Sequence, residues 1–515
     1  MKPMPWVTFG LLLAAWPLAV AEPRAPHVFH HENVLGTSLE LKVAAATEAD
    51  ALEAEAAALT EIDRLAKILS GYDAASEFHR WRTTAQTPVR VSPELFEVLR
   101  LFDQWRERSG GALDAAAEAA GQLWRRGAEQ QRAPSDAELA AAVAAVRRAH
   151  WRLDADAHTA THLDDTPLML NSFTKSFIVH RASEAARRIA GVRAVVVNIG
   201  GDLVVRGEWS ETVDIADPQA DAENSAPLTR VRVRDRAVAT SGGYRRGVEI
   251  AGRRYSHLVD PRTARPVDHI LSATVIAPQA TDAGALATTL CVLEPAESLR
   301  LVATVAGAEC LLVTADGRRV SSPGWSQWAA PRVEVAALGE LRGLLAAAPV
   351  SPAIPAASAA WSSFELVIDL ELARIDGQRA KRPYVAVWIE DKDKYPVRTV
   401  GLWFAKPKWL PDLKSWSHAD KLRELTEGTD LAGSVSSATR APGKYSLKWD
   451  GKDDRGQPVK PGKYTVLLEA AREHGTHQVM RQELDCNGTP QKVVLPGNIE
   501  ITAATLDYRR KADAR

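Results

Sequence analysis

Between Leu344 and Ala360 the chain reads LLAAAPVSPAIPAASAA. Proline fixes φ and removes backbone donors, and alanine and serine bring little to bury. Such a stretch works as a linker, outside any packed core. It cuts the chain into two pieces, each of which must build its own core. The length of 515 residues points the same way, because single cores stop growing well short of it. Hydrophobic residues make up 46% and charged residues 25% of the chain, which suits globular bodies in water.

The two pieces differ in pattern. In the first, residues 45–69 place Leu52, Leu59, Ile62, Leu65 and Leu69 near helical spacing, and Gly71 closes the run. A second helix opens with Ser92 as N-cap and Pro93 at its first position, and Gly110–Gly111 stop it. A third opens at Ser135, with Glu138 completing a capping box. Strands follow: AVVVNIGGDLVV, VRVRDRAVATSGGY, SATVIAP before an alanine-rich helix from about Thr281, and ECLLVTADGRR. LMLNSFTKSFIVHRA, Leu168–Ala182, reads as a strand end, a tight turn and a helix start. This mixture predicts an α+β domain. Beyond the linker, FELVIDLELA, YVAVWIED, TVGLWFA, KYSLKWDG and GKYTVLLEAARE alternate like strands between turn-rich segments, which predicts a smaller all-β, Ig-like sandwich.

The N-terminus places Lys2 before an apolar run from Trp6 to Val20, interrupted by Pro17 and ending in small residues at Ala21. The run is short for a bilayer span, so residues 1–21 are expected to be a signal peptide cleaved after Ala21, which puts the mature protein in the periplasm with no stable membrane span. Cys291, Cys310 and Cys486 are too few for a disulfide framework, and the first two lie in apolar runs that predict buried thiols. A net charge of −1 gives no field for nucleic acid.

Four segments of the first piece border strands, where ligand loops tend to lie: NIGGD (Asn198–Asp202), TSGGY (Thr240–Tyr244), SHLVDPRT (Ser256–Thr263) and TDAGALATT (Thr281–Thr289). Taken singly, each is a turn or a packing pattern. A fifth candidate is the lysine turn NSFTKS. Helix N-termini favour anions, and Asn171, Ser172, Thr174 and Ser176 can supply polar contacts there although the turn lacks glycine.

As a set and in order, these segments resemble the FAD:protein FMN transferases, the ApbE flavin transferase family. The resemblance covers residues 28–335 and includes LGTSLEL, DRLAKILSGYDAASEFHRW and SGGALDAAAEAAGQLW. It implies an exported enzyme that takes FAD and Mg²⁺ and moves FMN onto a threonine or serine of a target protein, with AMP leaving. It implies catalytic parts for His257, Asp260 and Lys175. Asn198, Gly200, Gly201, Asp202, Thr240, Ser241, Gly242, Asn171 and Ser172 are implied to bind the cofactor, and Thr288 the metal. The sequence also departs from the family pattern. Met169, Asn171, Ser172, Ser176 and His180 replace its usual residues around the lysine turn, Ala264 replaces a glycine, and Gly284 stands where the metal-binding aspartate is expected. Asp282 could take over as metal ligand if its helix begins late. Otherwise the ion would bind through phosphates, Thr288 and carbonyls, or the protein would hold FAD without turnover. Water replacing the acceptor hydroxyl would make it an FAD pyrophosphatase.

Residues 361–508 resemble a periplasmic domain of unknown function. Ahead of its later strands, SVSSATRAP (Ser434–Pro442) is similar to a flavin-acceptor motif, which makes Thr439 a possible acceptor in the same chain. The partner is then either an envelope protein or the chain itself.

Overall fold

The computed structural model describes residues 25–330 and 361–511, apart from residues 85, 221, 223, 245, 362, 375–381, 405–406, 428–435, 438 and 473–474. The expected signal peptide and the linker at 344–360 lie outside the described residues.

The first piece is built on one antiparallel sheet whose spatial order follows chain order: His27–Val34, Thr37–Ala45, Val192–Ile199, Asp202–Gly207, Ala237–Gly242, Ile270–Ala277, Glu309–Thr314 and Arg319–Ser321. Its central strands are apolar on both faces because both are covered. Val195 and Val197 enter the main core with Leu41, Val275 and Cys310, while Val196 packs on the other face with Val205, Val231, Ile276 and Trp325. Helices Glu48–Leu69, Thr174–Arg187 and Ala280–Leu290 supply the main core from one side. The hairpin of Glu211–Ile215 and Thr229–Val233 closes the other.

The helix starts follow local chemistry. Ser92 Oγ accepts from Leu95 N ahead of Pro93–Arg108, and Ser135 and Glu138 form the capping box ahead of Asp136–Val146. The long first helix begins at Glu48, capped by Thr47. Two strand readings change. VRVRDRAVATSGG is two strands, Thr229–Val233 and Ala237–Gly242, in different sheets. Leu168–Leu170 joins no sheet, although Met169 N donates to Ala115 O at 3.0 Å.

The second piece is a sandwich of a four-stranded sheet (Gly443–Trp449, Phe364–Leu372, Ile501–Arg510, Gln491–Leu495) and a five-stranded one (Ser436–Ser437, Pro396–Trp403, Tyr384–Glu390, Gly462–Ala471, His477–Cys486). Leu366, Ile368, Val387, Trp449, Val466 and Leu506 fill the space between the two inner faces. The helix Lys414–Glu427 was not read from the sequence. Trp416 and Ala419 cover Ala386, Trp388 and Leu402 on the outer side of the five-stranded sheet, and Glu469 carboxylate oxygens accept from the backbone N–H groups of Ser415 and Trp416. The two pieces touch where the Asn224 side chain pairs with both backbone groups of Lys448, at 2.7 and 2.8 Å.

Candidate active site

A cleft of about 720 Å³ opens where the hairpin turn at Gly200–Gly201, the end of strand Ala237–Gly242, the N-terminus of helix Thr174–Arg187 and the Gly284–Thr288 stretch of helix Ala280–Leu290 meet. That volume suits a ligand larger than an ordinary metabolite. Its lining residues lie between Tyr72 and Val292, so the second piece contributes none of them. Among the predicted site residues, Asn171, Ser172, Lys175, Gly200, Asp202, Thr240, Ser241, Gly242, His257 and Thr288 line it, drawn from distant parts of the chain.

Each segment delivers its side chain for a local reason. Gly200 and Gly201 have φ of +55° and +93° and join two paired strands as a two-residue turn with both residues left-handed. The turn sets Asp202 at the cleft and exposes the Gly200 carbonyl, which accepts from Lys175 Nζ at 3.2 Å. Asn198 Oδ1 accepts from Gly201 N at 3.2 Å, so Asn198 shapes the turn from outside the cleft lining. Lys175 enters from the first turn of its helix, which has no side-chain cap, so free N–H groups stand at this end. Its ammonium also pairs with Asp202 Oδ1 at 3.3 Å, and Ser176 Oγ donates to Asp202 Oδ2 at 2.6 Å.

His257 opens toward the cleft, and its Nδ1 lies 3.2 Å from the Arg246 carbonyl. A carbonyl only accepts, so Nδ1 carries the proton and Nε2 is left as a base. Desolvation by the surrounding walls lowers the pKa of this imidazole, and the charges of Arg246 and Arg254 lower it further. Asp260 is buried behind it and organises the DPRT loop. Asp260 Oδ1 accepts from Arg262 N at 2.8 Å, both carboxylate oxygens bind the Arg262 guanidinium, and the Asp260 carbonyl accepts from Ala264 N at 2.7 Å. Ala264 holds φ of +55° where glycine would be unstrained. Asp260 is therefore placed to order the loop, one layer away from the cleft.

Besides Asn198 and Asp260, three more expected residues lie outside the cleft lining. The helix carrying Asp282 begins at Ala280, not late, so Asp282 lies inside its first turn. Two residues rotate a helix by about 200°, which turns Asp282 away from the face shared by positions 284 and 288. Asp282 is absent from the cleft lining and half-buried. Burial raises its pKa against the opposing charge of Arg108. It is no substitute for a carboxylate at 284. Thr439 lies in the second piece, 3% exposed, with Oγ1 buried and unpartnered. An acceptor hydroxyl must reach the phosphorus, and in this conformation Thr439 does not present one. Gly201, though part of the turn, lines no part of the cleft.

Other residues join the lining that the sequence did not single out: Tyr72, Asp114, Glu118, Arg125 and Arg246. Tyr72 is 80% exposed, a large aromatic face at the cleft open to stacking. Asp114 is buried, accepts from Ala116 N at 2.8 Å and pairs with Arg106 at 2.8 Å. Burial nevertheless raises its pKa. Tyr72 and Asp114 lie inside segments quoted above for their family likeness, and that position was the only available signal. Arg125 pairs with Glu118.

A Mg²⁺ ion asks for hard oxygens in octahedral array, including one or two carboxylates. Among the described residues no three His, Cys, Asp or Glu side chains converge as metal ligands. The cleft offers Thr288 Oγ1, which donates to the Ser172 carbonyl at 3.0 Å, and three carboxylates that already have partners: Asp202 with Lys175 and Ser176, Asp114 with Arg106, and Glu118 with Arg125. This donor set does not fit a resident divalent cation.

Comparison with known proteins covers the stretch of chain that carries these residues. The sequence model of the ApbE family matches residues 35–312, and that of a predicted periplasmic protein family of unknown function, DUF2271, matches residues 365–503. An FAD:protein FMN transferase of Klebsiella pneumoniae is 28% identical over 330 residues, covering 62% of this chain and 92% of its own. That of Escherichia coli K12 is 30% identical over 268 residues, covering 50% and 76%. The crystal structure of the ApbE protein of Thermotoga maritima superposes with a TM-score of 0.54 at 23% identity, covering 59% of this chain and all of the other, which supports the fold.

Proposed function

Because the chain belongs to the ApbE family, we propose that it is a flavin transferase that moves the FMN half of FAD onto a threonine or serine hydroxyl of an envelope protein. The hydroxyl oxygen attacks the FMN phosphorus, the bond from that phosphorus to the oxygen of the AMP phosphate breaks, and AMP leaves. The products are an FMN–protein phosphodiester and AMP. The hydroxyl proton goes to His257 Nε2, which the Nδ1 contact with Arg246 O keeps free as a base.

Positioning and charge do most of the work in phosphoryl transfer. Lys175 faces the pyrophosphate as a point charge, with the N–H groups of its helix end beside it. Asn171 and Ser172 bring an amide and a hydroxyl into the lining, and Thr240 and Ser241 join it at the end of their strand. Tyr72 gives an aromatic face for the flavin or adenine ring. Mg²⁺, implied by the family likeness, would neutralise phosphate charge where bound. No step is assigned to it, because the protein's donor set does not fit it. The match to a predicted periplasmic family and the apolar N-terminal run of the sequence support action in the periplasm.

The observation that carries this reading is the convergence of Lys175, the Gly200 turn, Asp202, Thr240–Gly242, His257 and Thr288 on one cleft. The test is to incubate the full chain with FAD and candidate envelope proteins and follow flavin fluorescence that survives denaturing electrophoresis. A labelled acceptor, lost with His257→Ala, is the expected result. FAD bound with no acceptor ever labelled would instead favour a binding protein on this fold, the reading suggested by Gly284.

A further inference from the structure

Position 284 sits one helical turn before Thr288, and both line the cleft. A Cβ built at Gly284 would stand 2.2 Å from Ser176 Oγ, 2.9 Å from Ser176 Cβ and 3.3 Å from Phe173 Cβ. Ser176 is 2% exposed and tied to Asp202 at 2.6 Å, so it has no room to swing aside. Positions 176 and 284 therefore compete for one volume, and here the serine holds it.

We propose that Ser176 is a positioning residue that stands in for the missing side chain at 284. It fastens Asp202 to Lys175, so this chain's own ammonium, and not a protein-held divalent cation, faces the phosphates of the bound dinucleotide. The flavin part of this statement rests on the function proposed above; the exchange of side chains does not. Three links support it. One Asp202 oxygen accepts from the Ser176 hydroxyl and the other faces Lys175 at 3.3 Å, so a cation brought to this carboxylate would meet the lysine ammonium beside it. The pair is close to neutral, whereas a divalent ion is held by carboxylate charge. Thr288 Oγ1, the side-chain oxygen this helix presents to the cleft, donates its hydrogen to the Ser172 carbonyl and is a neutral ligand that adds no carboxylate charge.

The test is a thermal-melting cycle on the full chain with Ser176→Gly, Gly284→Ala, Gly284→Asp and the two double variants, read without ligand, with MgCl₂ alone, and with FAD in EDTA or MgCl₂. G284A should lower the melting temperature by about 2–10 °C, the usual cost of overpacking, and S176G should remove most of that loss when combined with it. MgCl₂ alone should stabilise S176G/G284D and leave the natural chain unmoved. The FAD dissociation constant of the natural chain should agree within about twofold between EDTA and MgCl₂, while S176G/G284D should gain about tenfold with MgCl₂. The proposal is overturned if G284A is as stable as the natural chain with Ser176 in place. It is equally overturned if Mg²⁺ tightens FAD binding by the natural chain tenfold or more. If no protein of the set binds FAD, the flavin reading fails and the proposal with it, while the melting cycle still decides the side-chain exchange.

Discussion

Replacing Lys175 by methionine keeps the length of the stem and removes the charge. The Lys175–Asp202 contact at 3.3 Å has a Coulomb energy of about 5 kcal/mol at an effective dielectric of about 20. The lysine side chain is 32% exposed, so solvent takes back much of that, and charge-assisted contacts of this kind retain about 1–3 kcal/mol. The ammonium should make a contact of similar size with a bound pyrophosphate. Losing it raises the dissociation constant for FAD by about 5- to 150-fold. A second effect has the same sign: without Lys175, the Asp202 carboxylate, 13% exposed, repels the phosphates. Hence Lys175→Met/Asp202→Asn should bind FAD more tightly than Lys175→Met alone, although it carries one more substitution. The assay is a flavin fluorescence titration at low and moderate salt, and the defect should shrink with salt as exposed charges are screened. The reasoning is refuted if K175M binds FAD within threefold of the natural chain, or if the added Asp202→Asn weakens binding further.

Other outcomes follow from the same geometry. His257→Ala should cut transfer by about 10²–10⁴ while leaving FAD affinity within a few fold, read from single-turnover rates beside binding titrations. The neutral imidazole is the active form and its pKa is lowered, so activity should persist as pH falls to the ordinary histidine value of about 6.5 and be lost only below it. A half-loss above pH 7 would contradict that assignment. Gly200→Ala puts a Cβ 2.7 Å from Thr37 Cγ2 at a φ of +55°, and should cost about 2–4 kcal/mol in thermal or denaturant unfolding. Burial pushes the Cys291 thiol up to about 12, so iodoacetamide at pH 8 should label it only after unfolding.

Much of this architecture was written locally. Ser92–Pro93 and Ser135 with Glu138 announce helix starts because a cap satisfies donors within one turn of itself. The two glycines of NIGGD announce a left-handed turn because few other residues adopt it cheaply. The phase of a helix is less legible. Whether Asp282 could serve at the cleft depended on where its helix begins, and the alanine-rich start carries no capping side chain to mark it. The helix Lys414–Glu427 was missed for a related reason: its sequence is mostly polar, and its one large anchor, Trp416, reads equally well as a strand residue. Long-range contacts were out of reach altogether. Ser176 and Gly284 each looked like an isolated departure from the family pattern. Only the fold, which packs helix Thr174–Arg187 against Ala280–Leu290, shows that they occupy one volume. Arg246 and Arg125 entered the cleft in the same way, from outside the segments that the sequence singled out.

The central claim, that this cleft transfers FMN from FAD to a protein hydroxyl, is tested most directly by counting products. The full chain, FAD and an acceptor protein are incubated together. AMP is quantified by chromatography and attached FMN by intact mass. The account predicts one AMP for each FMN attached and no accumulation of free FMN. AMP accompanied only by free FMN would mean hydrolysis, and bound FAD with no AMP at all would mean a cleft that holds the dinucleotide without cutting it; either result contradicts the account.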